Sequence, residues 1–332
     1  VTPKPLLTAV YGISWTLTED WRSLSVLAIG VYGVDVVLAA RLAHRVAGPV
    51  AGGFAAVAFL GSGALLEDVS AAYAVAWALL GWLVAALAVT ADHPRYALAG
   101  VALALAGLAR FETVLLVAWI AFLLAALHMA SGRWPSLRPR AGAWLLLAGV
   151  ATTPVQVAHD LMLTGEPFWS QSVPVVASVG VRLRDPIEML RWIVTHYAPM
   201  GPHLLLGALG VAWLVHHRKW TLLAGLSALG PGILAFLVAL AARDVYVSPR
   251  YATPADLALL FVASIGAATV SVALVETFVR RWIHAGTSRD AWLRVAAGAL
   301  AGLLLATDFG PLDPALRARV RTNLAMFENV DA

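Results

Sequence analysis

Lys4, Glu67-Asp68, Arg110 with Glu112, and Arg250 are the side chains of this chain best placed to do chemistry. Each interrupts or borders a stretch that is otherwise lipid-soluble. Three cations and two or three carboxylates on one membrane face would bind an anion. Phosphate suits them, because arginine can hold it bidentately and lysine as a point charge. A carboxylate beside it could act as general base on an acceptor hydroxyl. Tyr251, next to Arg250, joins the set as a further substrate contact. Plainer readings stand beside these. Lys4 suits a solvated loop, Glu67-Asp68 an N-terminal helix cap, and Arg250 a side chain snorkelling to headgroups.

Arg110 and Glu112 pose the sharpest question. They lie inside an apolar run, 96–130, whose only other ionisable side chain is His128. A charge at the bilayer centre costs about 2.5–3.5 kcal/mol on insertion scales. Either the pair faces a polar cavity, or the chain turns there and the pair lies at a membrane surface. On one helix, residues two apart do not face each other.

The elements that must position these groups are membrane helices. Of the 332 residues, 61% are hydrophobic and 13% charged, and mean hydropathy is +0.80. That is far from the usual quarter of charged residues in a soluble domain. Apolar segments at 22–44, 49–66, 70–90, 96–109, 112–130, 142–159, 202–216, 220–242, 255–278 and 291–307 span or nearly span a bilayer. The stretch 6–18 is shorter and suits an interfacial helix. One set of loops carries Arg41, Arg45, Arg95, Arg133, Arg138, Arg140, Arg218, Lys219, Arg280, Arg281, Arg289 and Arg294. The opposite loops carry Glu19, Asp20, Glu67, Asp68, Asp160, Glu166, Asp185, Glu188 and Asp244. The positive-inside rule makes the basic set cytoplasmic. The alternation requires a turn at Arg110, which puts Arg110 and Glu112 at the extracytoplasmic surface. The long loop 160–200 lies there too, with a surface helix over 186–196 whose apolar residues, Ile187, Leu190 and Ile193-Val194, share one face.

The arginines act as topology signals, so no nucleic-acid partner is expected. There is no cysteine, hence no disulfide, thiol nucleophile or cysteine metal site. No histidine pair has ligand spacing, and no metal residue is assigned. No cofactor is called for, and a role for a divalent metal is left open. The chain starts on a polar loop without methionine, and an N-terminal truncation is expected.

Four motifs in order carry a family resemblance. Thr2-Pro3-Lys4-Pro5-Leu6 is similar to an (H/K)-P-P-L element before an interfacial helix, though the second proline is missing. Gly107-Leu108-Ala109-Arg110-Phe111-Glu112 is similar to an L-x-R-P-E hairpin element, with Phe111 in place of proline. Asp160-Leu161-Met162-Leu163-Thr164-Gly165-Glu166-Pro167-Phe168 resembles a D-x-x-x-(T)-G-D-P-F loop start. Pro249-Arg250-Tyr251-Ala252-Thr253-Pro254 resembles a late P-R-Y-x-x-P element. Together they resemble the GT-C superfamily of polytopic glycosyltransferases, the type that uses dolichyl-phosphate mannose or lipid-linked aminoarabinose.

The resemblance implies transfer of a hexosyl or pentosyl group from a polyprenyl-phosphate-linked donor. The acceptor would be a glycan, lipid or protein hydroxyl at the extracytoplasmic face of the cell membrane. It implies Lys4 on the lipid phosphate, with Arg250 as a second contact. The family's catalytic carboxylate would lie upstream of Thr2, so the catalytic residue of this chain is unknown, with Glu67 and Asp68 as weak substitutes. The expected fold is all-α: a polytopic transmembrane bundle of about ten segments over 1–307, half-helices included, with interfacial helices outside and a polar tail, 308–332. The competing classes are a secondary transporter, which should show inverted repeats and midplane charges, and a non-catalytic membrane scaffold.

Overall fold

A computed structural model describes residues 4–20, 22–110, 112–131, 139–167, 185–242, 249–282 and 314–326, and every element among them is helical. α1 (Pro5–Thr18) begins with proline at its first position, where the missing N–H costs nothing. It ends where Glu19 turns left-handed, φ 52°, and donates its N–H to the Trp15 carbonyl. α2 (Arg22–Ala47) has 26 residues, about 39 Å at ~1.5 Å per residue, which exceeds the ~30 Å hydrocarbon core.

The expected segment 49–66 is two helices. α3 (Pro49–Gly61) and α4 (Gly63–Ser70) meet at 53°. Ser62 is extended there, and its hydroxyl accepts the Leu65 N–H at 3.3 Å, which starts a new helix. α5 (Val75–Val89) and α6 (Tyr96–Ala109) are short apolar helices. α6 stops at Arg110, which is extended (φ −140°, ψ 116°), and α7 (Glu112–Ser131) begins just after it. Leu103 of α6 and Leu116 and Ile120 of α7 line one cavity, so α7 runs back beside α6. The turn read from loop charges is present. α8 (Pro139–Thr164) closes this half and packs on α6.

α9 (Pro186–Tyr197) passes through a 3-10 turn into α10 (Gly201–His216). α11 (Trp220–Ser227) and α12 (Ile233–Ala241) flank a π-turn at 228–232 that contains Pro231, where a missing N–H is tolerated. α13 (Thr253–Trp282) is buried at 252–258 and again at 260–268. A helix apolar and buried all round is central, and α10, α3 and α2 pack against it. α14 (Pro314–Met326) returns to α4.

Among the described residues, Arg22–Ala47, Pro186–His216, Trp220–Ala241 and Thr253–Leu274 are long and apolar enough to cross a membrane, and the bent pair adds a fifth if it counts as one span. The protein is a multi-pass membrane protein. The expected segment 291–307 lies outside the described residues.

α9 turns most of its apolar stripe outward. Ile187, Leu190 and Val194 of α9 are exposed, while Met189 is fully buried and Tyr197 nearly so. The apolar stripe faces outward, where lipid solvates it, and His196 finds its partner inside.

Asp35 was not singled out by its sequence context. It lies midway along α2, 0% exposed, and among the described residues neither carboxyl oxygen has a hydrogen-bond partner. A buried polar group without a partner costs free energy. Asp35→Leu should therefore raise the melting temperature of the protein in detergent or nanodiscs, by the equivalent of about 1–3 kcal/mol. A lower melting temperature would show that the carboxyl is held by a group it needs.

Candidate functional site

The segment from Pro249 to Asp256 organises one end of the bundle. Pro249–Ala252 form a 3-10 turn that runs into α13 at Thr253. Pro254 sits in the first helical turn, where no intrahelical N–H is needed. Three side chains of this segment take partners from three other helices.

Tyr251 meets Arg110. The guanidinium carbon stands 5.9 Å from the ring centroid, a cation–π contact. Arg110 is only 8% exposed, because it closes α6 inside the bundle end and does not project into water. Thr253 meets α4, donating its hydroxyl to Asp68 Oδ2 at 3.1 Å. Asp256 meets α9, with His196 Nε2 3.1 Å from its Oδ1. Thr253 and Asp256 are three apart and so share one face of α13.

Glu67 and Asp68 are not an N-terminal cap. They lie on the last turn of α4, and α5 begins at Ala74 without a side-chain cap. A carboxylate there opposes the helix dipole, so tertiary partners must hold it. Asp68, 6% exposed, has Thr253. Glu67 has Arg319 of α14, Oε2 to Nε 3.2 Å, with both side chains about half exposed. Asn323 also donates to Ser70 Oγ at 3.0 Å, and Leu316 is buried, so α14 is docked beside the site. Replacing Thr253 with valine leaves a buried carboxylate short of a donor and should cost about 1–3 kcal/mol. Glu67→Gln or Arg319→Gln should cost less than about 1 kcal/mol, as exposed ion pairs do. Thermal unfolding of the three variants checks that ordering.

α1 lies across this end. Tyr11 donates to the Ala72 carbonyl at 2.8 Å and accepts from Trp77 Nε1 at 3.4 Å. Thr8 Oγ1 is 3.3 Å from His159 Nε2. Lys4, half-buried, caps the start of α1, and its carbonyl takes the Thr8 N–H. Asp160 is fully buried and accepts from Gln156 Nε2 at 2.9 Å. Four residues on, Thr164-Gly165 ends α8, with Gly165 at φ 76° as the left-handed cap. Gly165 thus terminates the helix.

Arg110, Tyr251 and Asp68 therefore gather on one segment. Arg250 belongs to the same turn, but its side chain, like that of Glu112, lies outside the described residues. Glu67 is committed to α14. Sequence reasoning missed the pairing of His196 with Asp256 and the docking of α14, because neither partner shows a spacing signal along the chain. Among the described residues no group of three or more His, Asp or Glu could hold a metal.

Beneath the cluster runs an apolar cavity of about 130 Å³. Pro254 and Trp82 lie toward the Arg110 end, where Trp82 Nε1 donates to Thr113 Oγ1 at 3.1 Å. Leu83, Leu103, Leu116, Leu257 and Phe261 line its length, and Thr90 and Thr221 lie at the other end. A buried cation above an apolar sleeve suits an anionic head carried on a hydrocarbon tail.

No family model and no curated protein matches the sequence. The fold is similar to that of ArnT from Cupriavidus metallidurans. Against the apo state the TM-score is 0.51 at 15% identity, and against the state bound to undecaprenyl phosphate it is 0.52 at 14%. In each case 98% of this chain is covered and 64% of the other, so the chain spans under two thirds of ArnT. The likeness shows an ArnT-like polytopic helical fold.

Proposed function

We propose that this chain forms the membrane body of a glycosyltransferase that uses a polyprenyl-phosphate-linked sugar. The observation that carries the reading is buried Arg110, in cation–π contact with Tyr251, at the bundle end where Pro254 and Trp82 line an apolar cavity. A polyprenyl phosphate has the matching form, a single anionic head on a long branched hydrocarbon. The similarity to a structure of ArnT bound to undecaprenyl phosphate supports the same ligand class.

In this reading an acceptor hydroxyl of a glycan, lipid or protein attacks the anomeric carbon, and the lipid phosphate leaves. The departing group gains negative charge, which Arg110, Lys4 and Arg250 would stabilise. Tyr251 holds the Arg110 guanidinium in place, so little reorganisation is needed as the charge develops. Loop charges orient the site toward the extracytoplasmic side of the cell membrane.

The test is equilibrium binding to the full-length protein in nanodiscs. Undecaprenyl phosphate should bind and saturate, while undecaprenol, which lacks the phosphate, should bind far more weakly. Equal affinity for the two would remove the phosphate site and the transferase reading with it. A transporter would instead place its essential group midway along a spanning helix, as Asp35 is in α2. Loss of function in Asp35→Leu with intact undecaprenyl phosphate binding would favour that second reading.

A further inference from the structure

His196 and Asp256 form a pair that binding of a lipid phosphate leaves unused. Asp256 is 7% exposed. With Nε2–H donated to its carboxylate at 3.1 Å, Nδ1 is the nitrogen left to accept a proton. A carboxylate orients an imidazole in this way when the imidazole serves as general base. The ring is also held by its neighbours. Trp192 stacks on it with centroids 4.8 Å apart and planes at 18°, and Tyr197 meets it edge-on at 87°. The His196 side chain nevertheless stays 33% exposed, so the pair is oriented but not sealed.

Its position is the second point. Asp256 is one helical turn from Thr253, which holds Asp68, and Tyr251 lies just before that turn. Trp192 and Tyr251 pack on the same small core of Met189, Ile233, Leu237, Ala241 and Ala252. The imidazole therefore borders the cluster assigned to the donor phosphate. The buried Tyr197 hydroxyl lies against Asp256 as well, and one more polar atom here, His203 Nδ1, is without a hydrogen-bond partner among the described residues. His203 is level with Asp256, because Gly207, one turn on, faces Leu259 and Val262. Unsatisfied polar groups suit a ligand rich in hydroxyls.

We infer that His196, oriented by Asp256, is the general base that deprotonates a sugar hydroxyl acceptor beside the donor site. The step rests on the transferase reading above. The hydroxyl oxygen bonds to the anomeric carbon as the bond from that carbon to the phosphate oxygen breaks. Its electron pair leaves on the lipid phosphate, and the hydroxyl proton passes to His196 Nδ1. Asp256 is a positioning residue that stabilises the imidazolium formed.

The experiment uses full-length protein in nanodiscs with undecaprenyl-phosphate mannose as probe and undecaprenyl phosphate as control. Diethyl pyrocarbonate modification is mapped by mass spectrometry, with His217 at the opposite, basic end as internal standard. His196 should be modified in the free protein and slowed several-fold by the bound sugar lipid, with His217 unchanged. Turnover is read as undecaprenyl phosphate release. His196→Gln, which keeps a donor to Asp256, should lower kcat about 10²–10⁴-fold with the donor KM unchanged, and added imidazole should restore part of the loss in His196→Ala. If neither lipid binds the wild type, the transferase reading falls and this inference with it. If the lipids bind but His196 is unprotected, or if His196→Gln turns over like wild type, only the general base is overturned.

Discussion

Arg110→Ala should weaken undecaprenyl phosphate binding by about 30-fold to 150-fold, the equivalent of ~2–3 kcal/mol. Hydrogen bonds to charged groups contribute at the upper end of the usual range, and Arg110 is nearly excluded from water. The variant also leaves Tyr251 without its cation. Arg110→Lys should recover only part of the affinity, since an ammonium neither stacks on the ring nor binds bidentately. The contrast between the two variants separates charge from geometry. Titration of nanodisc-embedded protein with undecaprenyl phosphate at two salt concentrations measures it. An alanine variant that binds like wild type would move the phosphate elsewhere, toward Lys4 or Arg250.

Gly210→Val should abolish the folded protein or lower its melting temperature severely. α10 and α13 both start at the Arg110 end and run parallel, and they touch through glycine. A Cβ on Gly210 would fall into the Val262 carbonyl, and one on Gly266 into the Leu206 carbonyl. Both obstacles are backbone, so neither can rotate away, and the helices must separate. Overpacking of this kind costs typically about 1–3 kcal/mol and more when backbone has to move. Small residues that let helices approach closely are a main source of association in lipid, where no hydrophobic force acts between helices. Gly30→Ala is the matched control: it lies in α2, a Cβ there meets nothing within 4 Å, and alanine gains helix propensity. Thermal unfolding that ranks Gly210→Val with Gly30→Ala would refute the packing account.

Both predictions concern groups that differ in how far the sequence reveals them. The charge of Arg110 in an apolar run, and the alternation of loop charges, are sufficient to place a turn there. Hydropathy and electrostatics act along the chain, so this information is local. The bend at Ser62 was less legible, because 49–66 is apolar throughout and only the serine cap divides it. The orientation of α9 was not legible, for a physical reason. In water, an apolar stripe such as Ile187, Leu190 and Val194 turns inward, but in lipid it can face out.

Composition, periodicity and loop charge by themselves determined a polytopic helical membrane protein and the helix break at Arg110. Only the tertiary structure decided which polar residues act together. Thr253 and Asp68 are 185 residues apart, and His196 and Asp256 are 60 apart. No helical or turn spacing links such positions. They meet because α13 is central and its first turn is approached from α4, α6 and α9 at once. That arrangement depends on glycine contacts, a serine bend and a lipid-facing stripe, which set inter-helix geometry and leave no periodic trace in the chain.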